Sequence, residues 1–143
     1  MKKYLTELVG TFFLVLIIGL SKNPLAIGFG LTVLVYMGAH ISGAHYNPAV
    51  SLAMLLRKEI NNSDFFKYLV AQILGAFIAA FVVSIMSSNM QVQPDLQEPI
   101  TMILLAELIF TYLLVFVILH VATHPNLDGN SFYGLAIGIT VMA

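Results

Sequence analysis

The sequence predicts an all-α membrane protein, and three observations carry that prediction. Of its 143 residues, 59% are hydrophobic and 9% are charged, whereas roughly 25% of the residues in soluble domains are charged. Four apolar stretches approach the roughly 20 residues that a helix needs to cross a bilayer. Between the second and third stretches lies an apolar segment that is too short to cross. We therefore expect four full spans, one re-entrant half-helix and the start of a fifth span.

The first two spans are predicted over residues 4–20 and 25–39, joined by the short polar link 21–24. This link is so short that the two spans should form a tight hairpin. The basic start Met1-Lys2-Lys3 followed by an apolar run also fits a signal peptide, with a cleavage site near Ser21 or Ala26. Because Glu7 interrupts that run and further spans follow, we interpret the segment as the first span.

The half-helix is predicted from the order of residues between spans two and three. Residues 40–46 end the apolar stretch in a loop containing Gly and Ser, after which Asn47 can cap a helix and Pro48 can occupy its first position. Residues 49–56 are apolar but too few to span. A half-helix entered through exposed backbone is how membrane proteins build a site for a polar solute.

The third and fourth spans are predicted over residues 65–87 and 100–121, and a fifth begins at Ser131 and is cut off at Ala143. The polar stretch 88–99 contains Asp95 and Glu98 but no basic residue. Small residues at four-residue spacing predict close helix packing. They are Gly75-Ala76 with Ala79-Ala80, and Gly134 with Gly138.

The distribution of basic residues predicts the orientation of the spans, since cytoplasmic loops are enriched in Lys and Arg. A cytoplasmic N-terminus places five of the six basic residues inside and only Lys22 outside. We therefore predict a multi-pass protein of the plasma or cytoplasmic membrane, with the half-helix entering from the cytoplasmic side. The five inner residues are Lys2, Lys3, Arg57, Lys58 and Lys67.

The chain contains an internal repeat within a single domain. Residues 7–15 match residues 107–115, with Glu and Thr at equivalent positions, and residues 25–28 match residues 135–138. The first unit covers about residues 1–88 and the second about 99–143. Because the first unit holds three membrane passes, the second starts from the opposite face, which makes an inverted repeat of the kind found in transporters and channels.

Asn47, Pro48 and Ala49 are the first candidate site residues. As an N-cap, Asn47 satisfies one backbone amide with its oxygen and keeps its NH2 group free to donate. The helix start carries partial positive charge, which attracts water oxygens and opposes cations, including protons. The alternative is a turn before an amphipathic interfacial helix.

Gly43, Ala44 and His45, with Ser42 before them, form the second candidate group. Small residues let backbone lie close to a narrow lumen, where carbonyl oxygens can replace the hydration of a passing solute. The alternative is a flexible surface loop.

Glu7 and Glu107 lie inside predicted spans, where a carboxylate costs about 2.5–3.5 kcal/mol on insertion scales. We expect each to bond the amides of a re-entrant loop and to hold it in shape, and Gln72 to join the same polar packing. A proton relay is the alternative role.

Several functional classes receive no support from the sequence. The absence of cysteine excludes disulfides and thiolate chemistry, and a net charge of −1 gives no indication of nucleic-acid binding. His40 and His45 are five residues apart, which is a poor spacing for one helix face, while His120 and His124 flank a predicted cytoplasmic loop. We therefore predict no metal site and no cofactor.

These motifs resemble those of the aquaporin (major intrinsic protein) family along essentially the whole chain. The residues that carry the resemblance are the run 41–50, Glu7 with Thr11, Ala71-Gln72 with Gly75-Ala76, Glu107 with Thr111, and residues 135–138. The resemblance implies six spans and two half-helices, one pore per subunit, homotetramers, and passive flow of water or glycerol-like solutes with ions and protons excluded. It places Asn47 at the central constriction and the carbonyls of residues 43–45 along the cytoplasmic half of the pore.

The resemblance also marks two departures from the family pattern. The second-span position of the outer filter corresponds to Ile27, where water-selective members usually carry Phe and glycerol channels Trp. The other three filter positions, the second half-helix and the sixth span would lie after Ala143. We therefore expect the chain to be C-terminally incomplete, and residues 1–143 alone to lack a sealed, selective pore.

Three other functional classes remain as alternatives to a diffusive channel. A coupled transporter would use Glu7 or Glu107 to carry a proton, and a truncated, non-conducting subunit would modify longer relatives. A membrane enzyme has the least support, since only His45 near Ser42 suggests such chemistry.

Overall fold

The computed structural model describes residues 1–87 and 99–143, and its regular structure in those ranges is helical. Four of its helices are long and apolar enough to cross a membrane, and a nine-residue helix follows the second of them. The prediction of an all-α membrane protein is therefore confirmed. The helices are α1 (Lys2–Ser21), α2 (Pro24–Ser42), α3 (Pro48–Leu56), α4 (Asn62–Met86), α5 (Ile100–Thr123) and α6 (Tyr133–Thr140), with a 3-10 turn at Pro125–Leu127.

The predicted and observed helix ends differ for local reasons. Helix α2 continues three residues beyond the predicted end at residue 39, because Gly43 is the residue that adopts the left-handed conformation, with φ 88°, and donates to Ala39 O. Helix α4 starts before residue 65, because the Asn61 side chain caps it at Asp64 N. The predicted outer loop with Asp95 and Glu98 lies outside the described residues, apart from Pro99.

Two helices start with an Asn N-cap followed by a proline. Asn23 caps α2 by accepting from the backbone N–H groups of Leu25 and Ala26, and Asn47 caps α3 by accepting from that of Ala49. In each case proline occupies the first helical position, where its missing N–H costs nothing. The predicted start of the half-helix is therefore confirmed.

The helices pack in a closed order within the described part of the chain. Helix α1 contacts α4 and α2, α2 contacts α6, α6 contacts α5, and the short α3 contacts both α4 and α5. Close approaches depend on glycine, as predicted: a Cβ at Gly75 would collide with Leu8 O of α1, and one at Gly138 with Gly28 O of α2. Helix α3 thus completes a ring that encloses its own preceding loop.

The interior of the ring contains both an apolar cluster and a polar one. Large apolar side chains on the outer faces are mostly exposed, as expected for helices that contact lipid. The buried polar residues are Glu7, Thr11, Thr32, Ser42, His45, Ser51 and Gln72. Because most of them contact one another or the loop before α3, this loop is the candidate functional site.

Candidate functional site

Glu7 is the centre of the polar cluster, and its side chain is completely buried. Its Oε1 accepts from the Ser42 hydroxyl at 2.6 Å and the His45 N–H at 3.0 Å, and its Oε2 accepts from the Tyr46 N–H at 2.7 Å and Gln72 Nε2 at 2.8 Å. A carboxylate with two donors on each oxygen is well satisfied. Glu7 and Gln72 therefore lie against the loop between α2 and α3.

The loop between α2 and α3 has an unusual backbone. Gly43, Ala44 and Tyr46 have φ values of 88°, 52° and 51°. For residues with a side chain this left-handed conformation costs roughly 1–2 kcal/mol each. The hydrogen bonds that His45 and Tyr46 donate to Glu7 offset this cost, so α1 imposes the shape of the loop.

The same geometry separates the donors of the loop from its acceptors. The N–H groups of residues 43–46 are all used, since Gly43 donates to Ala39 O, Ala44 to Ser42 Oγ, and the next two to Glu7. Within the described residues, the carbonyl oxygens of Gly43, Ala44 and His45 accept no hydrogen bond. Three unpaired acceptors thus remain in one short stretch.

Tyr46 anchors the loop to α1 and α2. Its hydroxyl donates to Leu34 O at 3.0 Å, and its carbonyl accepts from the Thr11 hydroxyl at 3.3 Å. The ring occupies space that only glycine leaves open, because a Cβ at Gly10 or Gly38 would collide with it. Two glycines on two helices therefore form the slot for one tyrosine.

His45 is buried and oriented by Ser51. The Nδ1 atom of His45 lies 3.1 Å from Ser51 Oγ, which also accepts from Gln72 Nε2 at 2.9 Å. The histidine ring packs edge-on against Tyr68, whose hydroxyl donates to Ser42 O at 2.6 Å. These contacts fix the ring from both sides and connect it to the network around Glu7.

Asn47 uses only half of its side chain for the cap. Its Oδ1 accepts from the Ala49 N–H at 2.7 Å. Its Nδ2 has no protein acceptor within the described residues, and the residue is only partly buried. Pro48 and Ala49 form the first turn of α3, as predicted.

Two cavities lie on either side of His45. The first, the lower cavity, has a volume of about 260 Å³, is lined by Gly43 and Ser42, and extends to Glu59 and Thr123. The second, the central cavity, has a volume of about 140 Å³ and includes Asn47. The two cavities are adjacent, and we refer to them together as the path past His45. They share six lining residues: Val35, Ala44, His45, Val50, Ile118 and Ile137.

The other predicted site residues lie away from this path. Ile27 is half-buried in the first turn of α2 and lines neither cavity. Glu107 is exposed on α5 and has no hydrogen-bond partner among residues 1–87 and 99–143. His120 contacts the ring of Phe116, with 4.2 Å between ring centroids, and no group of three potential metal ligands occurs among the residues searched.

Sequence reasoning missed Ser51, Tyr68 and the anchoring role of Tyr46. Ser51 was detectable as the one polar side chain within an otherwise apolar half-helix. Tyr68 and Tyr46 gave no such indication, because their partners are a backbone carbonyl and glycine slots on distant helices.

The sequence of this chain is similar to those of known proteins. A family model described as Major intrinsic protein matches residues 17–143. The chain is 37% identical to Glycerol uptake facilitator protein-like 6 of Lactiplantibacillus plantarum, over 99% of this chain and 72% of that protein. It is 35% identical to Aquaporin NIP1-1 of Oryza sativa subsp. japonica and to Nodulin-26 of Glycine max, and spans 55% and 58% of their lengths.

Proposed function

Because the chain belongs to the major intrinsic protein family, we propose that it forms a passive membrane channel for water and small uncharged solutes of the glycerol type. Such a channel needs no cofactor and catalyses no reaction. Relatives named as aquaporins and as a glycerol uptake facilitator support both solute classes. The proposal assigns the path past His45 as the route of the solute.

The observation that carries this proposal is the position of Asn47. Its amide caps α3 through Oδ1, while Nδ2 remains available in a residue that lines the central cavity. An N–H donor held at the positive end of a helix favours an oxygen atom of a neutral solute. A hydroxyl group or a water molecule provides that oxygen without a charge.

The unpaired carbonyls of residues 43–45 provide the complementary half of the route. These residues line the lower cavity, and their N–H groups are already engaged. Carbonyl oxygens accept hydrogen bonds from a hydroxyl or a water molecule and replace its hydration without strong binding. Apolar residues that also line this cavity, such as Val50 and Ile118, add no competing polar side chains.

Exclusion of ions forms part of the proposal and follows from the same helix end. The nine-residue helix α3 presents its N-terminus at Asn47, and its partial positive charge raises the energy of a cation there. The described residues that line the central cavity contain no carboxylate that would offset this effect. Protons carried as hydronium face the same barrier.

The resemblance to the family supplies further elements of the proposal. We place the N-terminus in the cytoplasm and assign the protein to a plasma or cytoplasmic membrane as a homotetramer. Ile27 would contribute an aliphatic wall to the outer filter, and Glu107 would brace a second loop as Glu7 braces the first.

Proton-coupled transport receives less support from the geometry. Glu7 lines neither cavity, and each of its oxygens already accepts two hydrogen bonds. A proton relay needs a carboxylate that solute or water can reach. The network around Glu7 instead fits a scaffold.

The test measures water and glycerol flux through liposomes that contain the purified protein. Stopped-flow light scattering records the change in liposome volume. We expect shrinkage under a sucrose gradient to be faster than for bare lipid, and to be indifferent to an imposed proton gradient. Such flow would also contradict the expectation that residues 1–143 need further segments. Flux that stops without a proton gradient would favour the transporter. Inserted protein with bare-lipid permeability would favour the non-conducting alternative.

A further inference from the structure

A second concave surface lies on the outside of the helix ring, between α1 and α4. This α1/α4 groove has a volume of about 520 Å³ and is separate from the two cavities of the solute path. Its walls are apolar except at one end, where Tyr4 and Lys67 lie. The remaining lining residues are Leu5, Leu8, Phe66, Val70, Ala71 and Leu74.

The apolar residues of the groove follow the helix repeat. On α4, Phe66, Val70 and Leu74 are spaced four residues apart, so they form a stripe along one face. From Phe66 to Leu74 this stripe extends roughly 12 Å along the helix axis. The groove is thus an open, mainly apolar surface, and the one cationic residue among its lining residues, Lys67, lies at one end.

Asp64 connects Tyr4, at the polar end of the groove, to Lys3. The Tyr4 hydroxyl donates to Asp64 Oδ1 at 2.8 Å, and Lys3 Nζ pairs with Oδ2 at 2.7 Å. Lys67 Nζ lies over the Tyr4 ring, 5.4 Å from its centroid. The tyrosine ring thereby lies beside the ammonium group, and its hydroxyl is engaged by Asp64.

Lys67 is the cation that this arrangement leaves available. Lys3 already pairs with the one carboxylate at this end, and Lys67 has no hydrogen bond or ion pair within the described residues. Lys2 and the N-terminus lie at the same end of α1 and add positive charge. An exposed ammonium above an apolar groove complements an anionic head group attached to a hydrocarbon chain.

We propose that the α1/α4 groove binds one anionic phospholipid, with its phosphate on Lys67 and an acyl chain along Leu8, Val70 and Leu74. Basic residues at the cytoplasmic end of membrane helices attract anionic lipids, and each Lys near the surface contributes measurably to that attraction. The apolar walls offer no hydrogen-bonding group below the rim, which suits a hydrocarbon chain.

The experiment exploits the absence of tryptophan from the chain. The Phe66→Trp variant places a single tryptophan at a position that is 63% exposed. Quenching of its fluorescence by brominated phosphatidylglycerol is then compared with quenching by brominated phosphatidylcholine. In the Phe66→Trp variant we expect the anionic lipid to be preferred about fivefold, and Lys67→Gln to reduce this preference to near one. High salt should weaken the preference.

Two matched control variants test whether the head-group preference is specific to the α1/α4 groove and to Lys67. Phe81→Trp places the fluorophore on the same helix at a position that is 65% exposed but outside the groove, and should report no head-group preference. Lys22→Gln removes a positive charge from the other end of α1 and should leave the preference at position 66 unchanged.

Three outcomes would overturn the proposal. One is equal quenching by the two lipids at position 66, and another is a preference that survives Lys67→Gln. The third is weak quenching by both lipids at position 66 with normal quenching at position 81, which would show that a second copy of the chain covers the groove. The result is independent of flux, so it distinguishes this inference from the channel proposal.

Discussion

The backbone N–H of Tyr46 donates to Glu7 Oε2 at 2.7 Å across 39 positions of the sequence. This contact joins the first helix to the loop before α3 and holds Tyr46 in a left-handed conformation with φ 51°. The path past His45 therefore owes its shape to a side chain that does not line it. Substitution of Glu7 should therefore reduce stability first and affect permeation second.

Replacement of Glu7 by Gln should destabilise the protein by about 2 kcal/mol, because a buried donor loses its charged acceptor. Glutamine offers one oxygen and turns an NH2 group towards donors that previously met the second oxygen. Thermal unfolding in detergent, followed by circular dichroism, measures the effect. Asp128→Asn makes the same chemical change at an exposed position and should shift the melting temperature little. Equal shifts in the two variants would contradict the role assigned to Glu7.

Asn47→Asp and Asn47→Ala should separate the two functions of the Asn47 side chain. Aspartate retains the oxygen that caps α3 but loses the NH2 donor and adds a negative charge, so we expect near-native stability and increased cation leak. Alanine loses the cap and should cost about 1 kcal/mol. Unfolding in detergent and ion flux in liposomes measure the two effects. A cation-tight aspartate variant with unchanged water flux would argue against the barrier proposed at α3.

Gly38→Ala should be costly because its Cβ would collide with the Tyr46 hydroxyl. We expect a loss of about 1–3 kcal/mol, and a smaller loss when Tyr46→Phe removes the hydroxyl. A double-mutant cycle on detergent unfolding measures the coupling. In the control, Gly30→Ala meets only the side chain of Ile17, so Tyr46→Phe should leave its cost unchanged. Additive effects of Gly38→Ala and Tyr46→Phe would show that the Tyr46 hydroxyl does not pack tightly against Gly38.

Ser51→Ala should cost about 1–3 kcal/mol, because it removes the partner of both His45 Nδ1 and Gln72 Nε2 in a completely buried site. It should also free the histidine ring and change the ratio of glycerol to water flux. Ser84→Ala is the matched control, since that exposed hydroxyl bonds only to Phe81 O of its own helix. A flux ratio that stays constant while stability falls would restrict Ser51 to a structural role.

The sequence was sufficient for those parts of the structure that depend on local patterns. The family, the membrane helices and the start of α3 at Pro48 are confirmed, because apolar length and the Asn-Pro cap act within a few residues. The positive φ values of Ala44 and Tyr46 were not predictable, since neither residue type favours that conformation. They arise from hydrogen bonds to a distant helix.

The end of α2 illustrates the same distinction. The sequence predicts that the second span ends at residue 39, yet α2 continues to Ser42 because Gly43 is the residue that stops the helix. The roles of Ile27 and Glu107 stay predictions, because neither residue contacts the path past His45 within the described residues.

The wide spacing of the Glu7 partners has a consequence for biosynthesis. Ser42 lies 35 positions after Glu7, and Gln72 lies 65 positions after it. At ribosomal rates of about 5–20 residues per second, Glu7 precedes Gln72 by roughly 3–13 s. During that interval the nascent first helix carries a carboxylate without its final partners. A translocon or chaperone that shields this helix until α4 is made would therefore act on Glu7 before any other polar residue of the network.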